Sequence, residues 1–252
     1  MKIQLGEAIR EQICTLDIFS VAEEEPRGMV IVLPGGGYAH LAPHEADPVA
    51  RKFVELGFHA AVCRYRVAPV TYPAPLDDAR AAIRYVREHA GELRVKPDKI
   101  AILGFSAGGH LAAMVSNMPG AAVNRPDASI LCYPVLSCLS GGERAHIGSY
   151  CNLFGNHLAP EEYRDFCWPE KVSAATPPAF LWHTMEDEGV PVEQSLEYAA
   201  ALQKAGIPYA LHIFTHGVHG LSINNRPGYE NQYPEIDAWP ELCADWLRTM
   251  GW

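Results

Sequence analysis

A serine between two glycines carries the clearest chemical signal in the sequence. Residues 104–109 read GFSAGG, which fits the pattern G-x-S-x-G with Ser106 at its centre. In this pattern the serine lies on a sharp turn between a strand and a helix, so Gly104 and Gly108 must be small. The helix that follows would point its positive end at a developing oxyanion. The motif therefore predicts that Ser106 is a nucleophile that attacks a carbonyl carbon.

The hydroxyl of Ser106 needs a base, because it is a poor nucleophile near neutral pH, and the base needs an orienting carboxylate. On this kind of turn the chain order is serine, then acid, then histidine. His216 and His219 both lie in the loop at residues 215–221, after the last predicted strand. We predict that His219 is the base, because it stands farther from the strand end and its ring has room to reach the serine. His216 is the alternative.

Other histidines after the serine fit structural roles better. His110 lies within the helix predicted after Ser106, and His183 and His212 fall inside predicted strands. Buried histidines in such elements are usually hydrogen-bonded within the core. We therefore expect these three side chains to stabilise the fold.

The acid is expected in the loop after the strand predicted at residues 179–183. Residues 184–191 read TMEDEGVP and offer three consecutive carboxylates, those of Glu186, Asp187 and Glu188. An acidic loop is usually a solvated surface, but this one follows a strand end where the nucleophile is expected. Side-chain chemistry alone does not separate the three carboxylates.

A run of glycines after an earlier strand supplies backbone N–H groups. Residues 33–38 read LPGGGY, and glycine lets the backbone approach a substrate closely. The N–H group of Gly36 or Gly37, together with that of Ala107, would form an oxyanion hole. A phosphate-binding loop is a competing interpretation, but the Lys and the Ser or Thr that follow the glycines of such a loop are absent.

These candidate residues require a scaffold that presents several loops at one edge. After two N-terminal strands, apolar β-rich runs alternate with segments of helical period, which predicts an α/β fold with a mostly parallel sheet between helices. Most runs are continuously apolar, as strands buried on both faces require. The strands are predicted at residues 2–5, 14–19, 29–33, 60–64, 100–104, 128–133, 179–183 and 209–214.

Helices are predicted between these strands. An apolar face recurs in the segment that begins at Asp78, and we expect Asp78 to cap the start of that helix. Near the C-terminus, an apolar stripe from Trp239 to Met250 should pack on the sheet.

Length and pattern indicate a single α/β domain over residues 1–252, with one irregular segment. A chain of 252 residues with 48% hydrophobic content supports one sizeable core. Residues 140–173 are rich in Gly, Asn, His, Tyr and Trp and show no clear strand. Because this segment leaves the sheet after one strand and returns before the next, it could fold over the strand ends as a small cap.

The composition of the chain argues against some classes of binding partner. The net charge of -10 and the lack of a basic patch argue against nucleic acid. No apolar run approaches the ~20 residues that span a bilayer, and the N-terminal stretch lacks the layout of a secretion signal, so we expect a cytoplasmic protein without a membrane partner. Seven cysteines without regular spacing indicate neither a disulfide framework nor a zinc site. The predicted chemistry needs no metal or organic cofactor.

Together these motifs resemble those of α/β-hydrolase esterases of the hormone-sensitive-lipase and acetyl-esterase or acetylxylan-esterase kind. The resemblance implies that the acid is Asp187, three residues before the Val of a Val-Pro pair, and that the base is His219. Pro34 stands where many lipase relatives have His, which shifts the likeness toward the acetyl-esterase-like branch. The likeness spans most of the chain and includes PGGGY at residues 34–38, RYR at 64–66, YPA at 72–74, GFSAGG at 104–109, PPAFLWHT at 177–184 and GVHGL at 217–221.

The resemblance also implies a substrate class. It points to esters of short acyl groups, acetyl above all, with a sugar or xylo-oligosaccharide as the alcohol part. Substrate contacts could come from Tyr38, beside the glycine run, and from Tyr150, Asn152 and Trp168 in the irregular segment, although packing explains the aromatic residues equally well.

A peptidase or a lactonase could use the same catalytic residues, and a non-catalytic ligand-binding protein could use the same fold. A monomer and a homo-oligomer both fit the sequence.

Overall fold

Eight strands form one sheet in the computed structural model, which describes residues 1–22, 25–141 and 145–252. They are β1 (Lys2–Ile9), β2 (Gln12–Phe19), β3 (Arg27–Leu33), β4 (His59–Arg64), β5 (Val95–Phe105), β6 (Ala128–Cys132), β7 (Ala179–Thr184) and β8 (Tyr209–Phe214). Their order across the sheet is β1-β2-β4-β3-β5-β6-β7-β8. The pairings of β2 with β1 and β4 are antiparallel, and all pairings from β4 to β8 are parallel. The loops after β3, β5, β6, β7 and β8 therefore leave the sheet at one edge.

Helices cover both faces of this sheet. They are α1 (Asp47–Glu55), α2 (Ala74–Glu88), α3 (Ala90–Leu93), α4 (Ala107–Asn117), α5 (Ile147–Phe154), α6 (Glu193–Ala205) and α7 (Trp239–Thr249). Buried residues of α1 and α7 share one apolar core, and those of α2, α4 and α6 share the other. Across the described ranges, no helix is both long and apolar enough to cross a membrane.

Strand β3 shows how the sequence creates two cores. Met29 and Ile31 enter the core beneath α2 and α4, whereas Val30 and Val32 enter the core beneath α1 and α7. Successive side chains of a strand point to opposite faces, so a strand covered on both sides must be apolar at every position. The continuous apolar runs of the sequence are therefore the cause of this layered arrangement.

The C-terminal helix packs as its apolar stripe predicts. The rings of Trp239 in α7 and Trp182 in β7 stack with their centroids 5.4 Å apart. Cys243 and Leu247 are also fully buried, whereas Leu242 at the margin of the stripe is exposed. This contact fixes α7 against the strand that precedes the acidic loop.

The predicted strands all appear, but the prediction that Asp78 caps a helix is wrong. Helix α2 begins at Ala74, with Pro75 in its first turn, where a missing N–H group costs nothing. Asp78 lies one turn inside the helix and is buried. Its carboxylate accepts hydrogen bonds from the backbone N–H of Arg66 at 2.8 Å and from Nη2 of the same residue at 2.6 Å. The carboxylate thus forms a buried ion pair instead of a cap.

The irregular segment at residues 140–173, of which 142–144 lie outside the described residues, contains α5 and two short 3₁₀ helices. Asn152 of α5 donates a hydrogen bond from Nδ2 to the carbonyl oxygen of Gly37 at 2.9 Å. The segment therefore contacts the glycine run that follows β3. We propose that it is a small cap on a single domain comprising residues 1–252.

Candidate active site

Ser106 lies on a tight turn between β5 and α4. Its φ of 52° and ψ of -116° are outside the regions that residues with a side chain normally adopt. A Cβ atom at Gly104 would overlap the carbonyl oxygen of Gly108, and one at Gly108 would overlap the carbonyl oxygen of Leu33. Both glycines are therefore required by close backbone packing around the nucleophile, which is the reason the motif predicted.

Three loops bring Ser106, His219 and Asp187 into one line of hydrogen bonds. Oγ of Ser106 lies 2.8 Å from Nε2 of His219. Nδ1 of His219 lies 2.7 Å from Oδ2 of Asp187. The loops follow β5, β8 and β7, which end at the same edge of the sheet. This is the arrangement in which an imidazole can remove the proton of a serine while a carboxylate stabilises the resulting charge.

Asp187 is held as an anion. It is 3% exposed, and its Oδ1 accepts the N–H groups of Gly189 and Val190, each at 2.8 Å. Nε2 of His183 also lies 3.3 Å from Oδ2. Burial raises the pKa of Asp187, but the hydrogen bonds from His183 and His219 outweigh it, so this pKa lies well below its usual range. An ionised Asp187 favours the tautomer of His219 that carries its proton on Nδ1.

The rival base and a rival acid pair with each other at the surface. Nδ1 of His216 lies 2.9 Å from Oε1 of Glu186, and the two side chains are 63% and 56% exposed. A hydrogen bond with Glu186 raises the pKa of His216, and the same bond lowers the pKa of Glu186. In the structure it is His219, and not His216, whose ring contacts Ser106.

The glycine run faces the nucleophile in a conformation that side chains rarely adopt. Gly36 has a φ of 122° and Gly37 a φ of 64°, and both line the same cavity as Ser106. Ala107 is the first residue of α4, where backbone N–H groups have no partner within the helix. The structure thus brings Gly36 and Gly37 to the cavity of Ser106 and places Ala107 at the start of α4, and either glycine stays a candidate for the second donor.

A cavity of about 420 Å³ opens beside the serine. Besides Ser106 and His219, its described wall includes five polar residues that were not predicted from the sequence: His40, His44, Glu45, His146 and Arg226. The ring of His146 lies over that of His219, with the centroids 6.4 Å apart, and Arg226 donates a hydrogen bond to the carbonyl oxygen of His219. No motif marks these residues. In the described part of the chain, no group of three or more His, Cys, Asp or Glu side chains is placed to hold a metal ion.

The weaker substrate-contact candidates have other neighbours. Tyr38, Tyr150 and Trp168 are almost fully buried around the ring of His110. The hydroxyl of Tyr38 lies 2.9 Å from Nδ1 of His110, and the other two rings lie 4.9 and 5.4 Å from it. Asn152 is half-buried and its amide holds the glycine run. These contacts favour a packing role for the three aromatic residues. They indicate that Asn152 holds the glycine run in place.

His110 should make the stability of the protein depend on pH. Burial lowers the pKa of His110 to about 3, whereas a histidine of the unfolded chain titrates near ~6.5. Below that pH the unfolded chain binds a proton that the folded state does not, so the folded state loses stability as the pH falls. Both proteins are compared at about pH 7.5 and about pH 5.5. Over this interval we expect the unfolding free energy of the unmodified protein to fall by about 1 kcal/mol more than that of His110→Gln.

Urea unfolding at the two pH values measures this difference directly. The overall destabilisation caused by the substitution cancels, because each protein is compared with itself. Equal losses in both proteins would show that His110 is not held neutral by burial.

Comparison with known proteins identifies the family. A model described as the prolyl oligopeptidase family matches residues 73–244, and one described as BD-FAE matches residues 16–125. An acetyl ester-xyloside bifunctional hydrolase from Caldicellulosiruptor lactoaceticus, known from a crystal structure, is 39% identical in sequence to this chain. The superposition covers 100% of this chain and 96% of the hydrolase, with a TM-score of 0.87. The chain belongs to the α/β-hydrolase esterases. The predicted fold class, a mostly parallel sheet flanked by helices, is thereby confirmed.

Curated relatives of this α/β-hydrolase esterase are longer than it is. An acetylxylan esterase of Xylanibacter ruminicola is 34% identical over 234 residues, which are 90% of this chain and 47% of the relative. Endo-1,4-beta-xylanase B of Butyrivibrio fibrisolvens is 35% identical over 217 residues, 81% of this chain and 34% of the relative. The chain therefore spans between about a third and about half of the length of these two relatives.

Proposed function

We propose that this α/β-hydrolase esterase hydrolyses short-chain carboxylic esters, acetyl esters above all, with Ser106, His219 and Asp187 as its catalytic residues. The observation that carries the proposal is the continuous pair of hydrogen bonds from Ser106 through His219 to Asp187. The names of similar proteins, an acetylxylan esterase and an acetyl ester-xyloside hydrolase, support the choice of acyl group.

The reaction follows from this geometry in two halves. His219 accepts the proton of Ser106 while Oγ attacks the ester carbonyl carbon, and ionised Asp187 stabilises the imidazolium. Backbone N–H groups of Ala107 and of Gly36 or Gly37 hold the oxyanion. The alcohol leaves with the proton from His219. A water molecule then gives a proton to His219 and attacks the acyl carbon, the bond from that carbon to Oγ of Ser106 breaks, and His219 returns the proton to Ser106 as the acid leaves.

We further propose that the alcohol part of the substrate is a sugar. Each sugar hydroxyl that leaves water needs a hydrogen-bond partner, or its burial costs free energy. The cavity wall offers such partners in His40, His44, His146 and Arg226. Burial lowers the pKa of His146, which favours the neutral ring; its Nδ1 lies 2.9 Å from Oγ of Ser149, so Nε2 is the nitrogen left to bond a substrate hydroxyl. These side chains supply polar groups that can face the hydroxyls of a sugar.

A panel of esters tests the proposal. We expect kcat/KM for p-nitrophenyl esters to be highest for acetate and to fall as the acyl chain lengthens, and we expect acetate release from acetylated xylo-oligosaccharides. A maximum at long acyl chains would contradict the acyl assignment. Absence of hydrolysis with every ester would contradict the proposed function itself.

A peptidase is the second candidate, and the match to the prolyl oligopeptidase family favours it. The amine released from an amide is a poorer leaving group than the alcohol released from an ester. Cleavage of an amide therefore demands more precise protonation of the leaving nitrogen by the base. Peptide p-nitroanilides compared with the acetyl esters decide between the two. Comparable kcat/KM values for anilide and ester would favour a peptidase, whereas cleavage of the ester alone would favour an esterase.

A further inference from the structure

A buried carboxylate lies beside the proposed oxyanion hole and has no part in the mechanism above. Glu45 is 2% exposed and ends the short 3₁₀ helix Pro43–Glu45. Its Oε2 accepts the backbone N–H of Gly35 at 2.7 Å. A Cβ atom at Gly35 would lie 2.7 Å from that oxygen and 3.1 Å from Cβ of Ser106. Glu45 therefore fixes the peptide between Pro34 and Gly35, at the side of the nucleophile.

The other oxygen of Glu45 is connected to the loop that carries the base. Oε1 accepts the hydroxyl proton of Tyr133 at 2.7 Å, and the oxygen of the same hydroxyl accepts the N–H of Ser222 at 2.9 Å. The ring of Tyr133 packs edge-on against that of His219, with the centroids 5.1 Å apart. One carboxylate thus joins the glycine run to the segment after β6 and, through Tyr133, to the loop after β8.

The energetics of burial show what a carboxylate provides at this position. A buried carboxylate costs free energy unless donors surround it. Burial raises the pKa of Glu45, and the hydrogen bonds from Tyr133 and Gly35, with nearby His44, act in the opposite direction. A well-packed apolar side chain could fill the same space at lower cost. What it could not do is accept the N–H of Gly35 and the hydroxyl of Tyr133 together.

We propose that Glu45 is a positioning residue that holds the backbone of Gly35–Gly37 ready for the oxyanion and ties it to the loop of His219. The inference rests on the proposed function, because it assigns Glu45 a role in the same site. A displaced oxyanion hole stabilises the transition state less, while binding of the ground-state ester hardly changes. Loss of Glu45 should therefore lower kcat much more than it raises KM.

The test compares Glu45→Leu, Glu45→Gln and Tyr133→Phe on p-nitrophenyl acetate. Leucine removes both acceptors, and we expect kcat to fall between about 10-fold and about 100-fold with KM within about 3-fold. Glutamine keeps one oxygen for the N–H of Gly35 and should restore most of kcat. Tyr133→Phe keeps Glu45 and should give an intermediate loss. Glu241→Gln, a surface glutamate paired with Lys52, is the matched control and should change neither constant.

A trifluoromethyl ketone adds a readout that a merely structural role would not move. Oγ of Ser106 adds to its carbonyl carbon, the proton passes to His219, and the carbonyl oxygen becomes an oxyanion in the hole. We expect Glu45→Leu to weaken this inhibitor by the same factor as kcat, and to leave binding of the corresponding alcohol unchanged. If Glu45→Leu does not fold, the glutamine and phenylalanine variants decide by the same two readouts.

The outcomes separate this inference from the proposed function. Unchanged kcat in the folded variants, or equal weakening of ketone and alcohol, would overturn the role of Glu45 while the esterase proposal stands. An unmodified protein without activity on any ester would overturn the proposed function first.

Discussion

Replacing Ser106 by alanine is expected to lower kcat/KM for p-nitrophenyl acetate by at least about 10⁴-fold. Among the residues that the structure describes, the hydroxyl that lies within hydrogen-bond distance of Nε2 of His219 is that of Ser106, on the turn between β5 and α4. An alanine has no atom that can attack the carbonyl carbon, so only substrate binding and the oxyanion hole remain. The melting temperature should change little, since the substitution removes one oxygen atom and preserves the backbone.

The control for this prediction is Ser116→Ala. Ser116 is also buried, lies in α4 and donates to the carbonyl oxygen of Ala112, so its loss should leave kcat/KM within about 2-fold. A fluorophosphonate should label the unmodified protein and Ser116→Ala once each and leave Ser106→Ala unlabelled. Near-normal hydrolysis by Ser106→Ala would refute the assignment of Ser106 as the nucleophile.

The strands and the serine turn were predictable because their physical causes are local. A strand buried on both faces must be apolar throughout, and the turn at Ser106 tolerates only glycine two residues away. Predictions failed where the cause was not local. Strand β5 begins at Val95 instead of Ile100, and residues 96–99, which read KPDK, carry no apolar pattern that would predict a strand. Asp78 resembles a helix cap until the contact with Arg66 is known.

The difference between local and non-local causes also explains why some site residues were not predicted from the sequence. Glu45 and Tyr133 are 88 positions apart in the chain, and neither lies in a motif, so only folding reveals that they share a hydrogen bond. His183 was predicted to be structural, and it is buried in β7, but its contact with Asp187 could not be foreseen. Motifs report what a turn requires of its own residues and say little about the groups that distant segments bring to it.

Glu186, Asp187 and Glu188 are neighbouring carboxylates that side-chain chemistry alone could not separate. Glu186 extends to the surface, whereas the shorter side chain of Asp187 folds back onto the N–H groups of Gly189 and Val190. We expect Asp187→Asn to lower kcat on the order of 10⁴-fold. We expect Glu186→Gln and Glu188→Gln, measured with p-nitrophenyl acetate under the same conditions, to stay within about 2-fold.

The reason for this difference lies in the tautomer of the base. In Asp187→Asn, the amide oxygen can still accept the N–H groups of Gly189 and Val190, so the loop should keep its shape. The amide nitrogen then faces Nδ1 of His219 and donates to it, which forces the proton of the ring onto Nε2. That nitrogen now donates toward Ser106 and cannot accept its proton, so the nucleophile stays a neutral hydroxyl. A loss of comparable size in Glu186→Gln, with Asp187→Asn active, would instead assign the acid to the pair that Glu186 forms with His216.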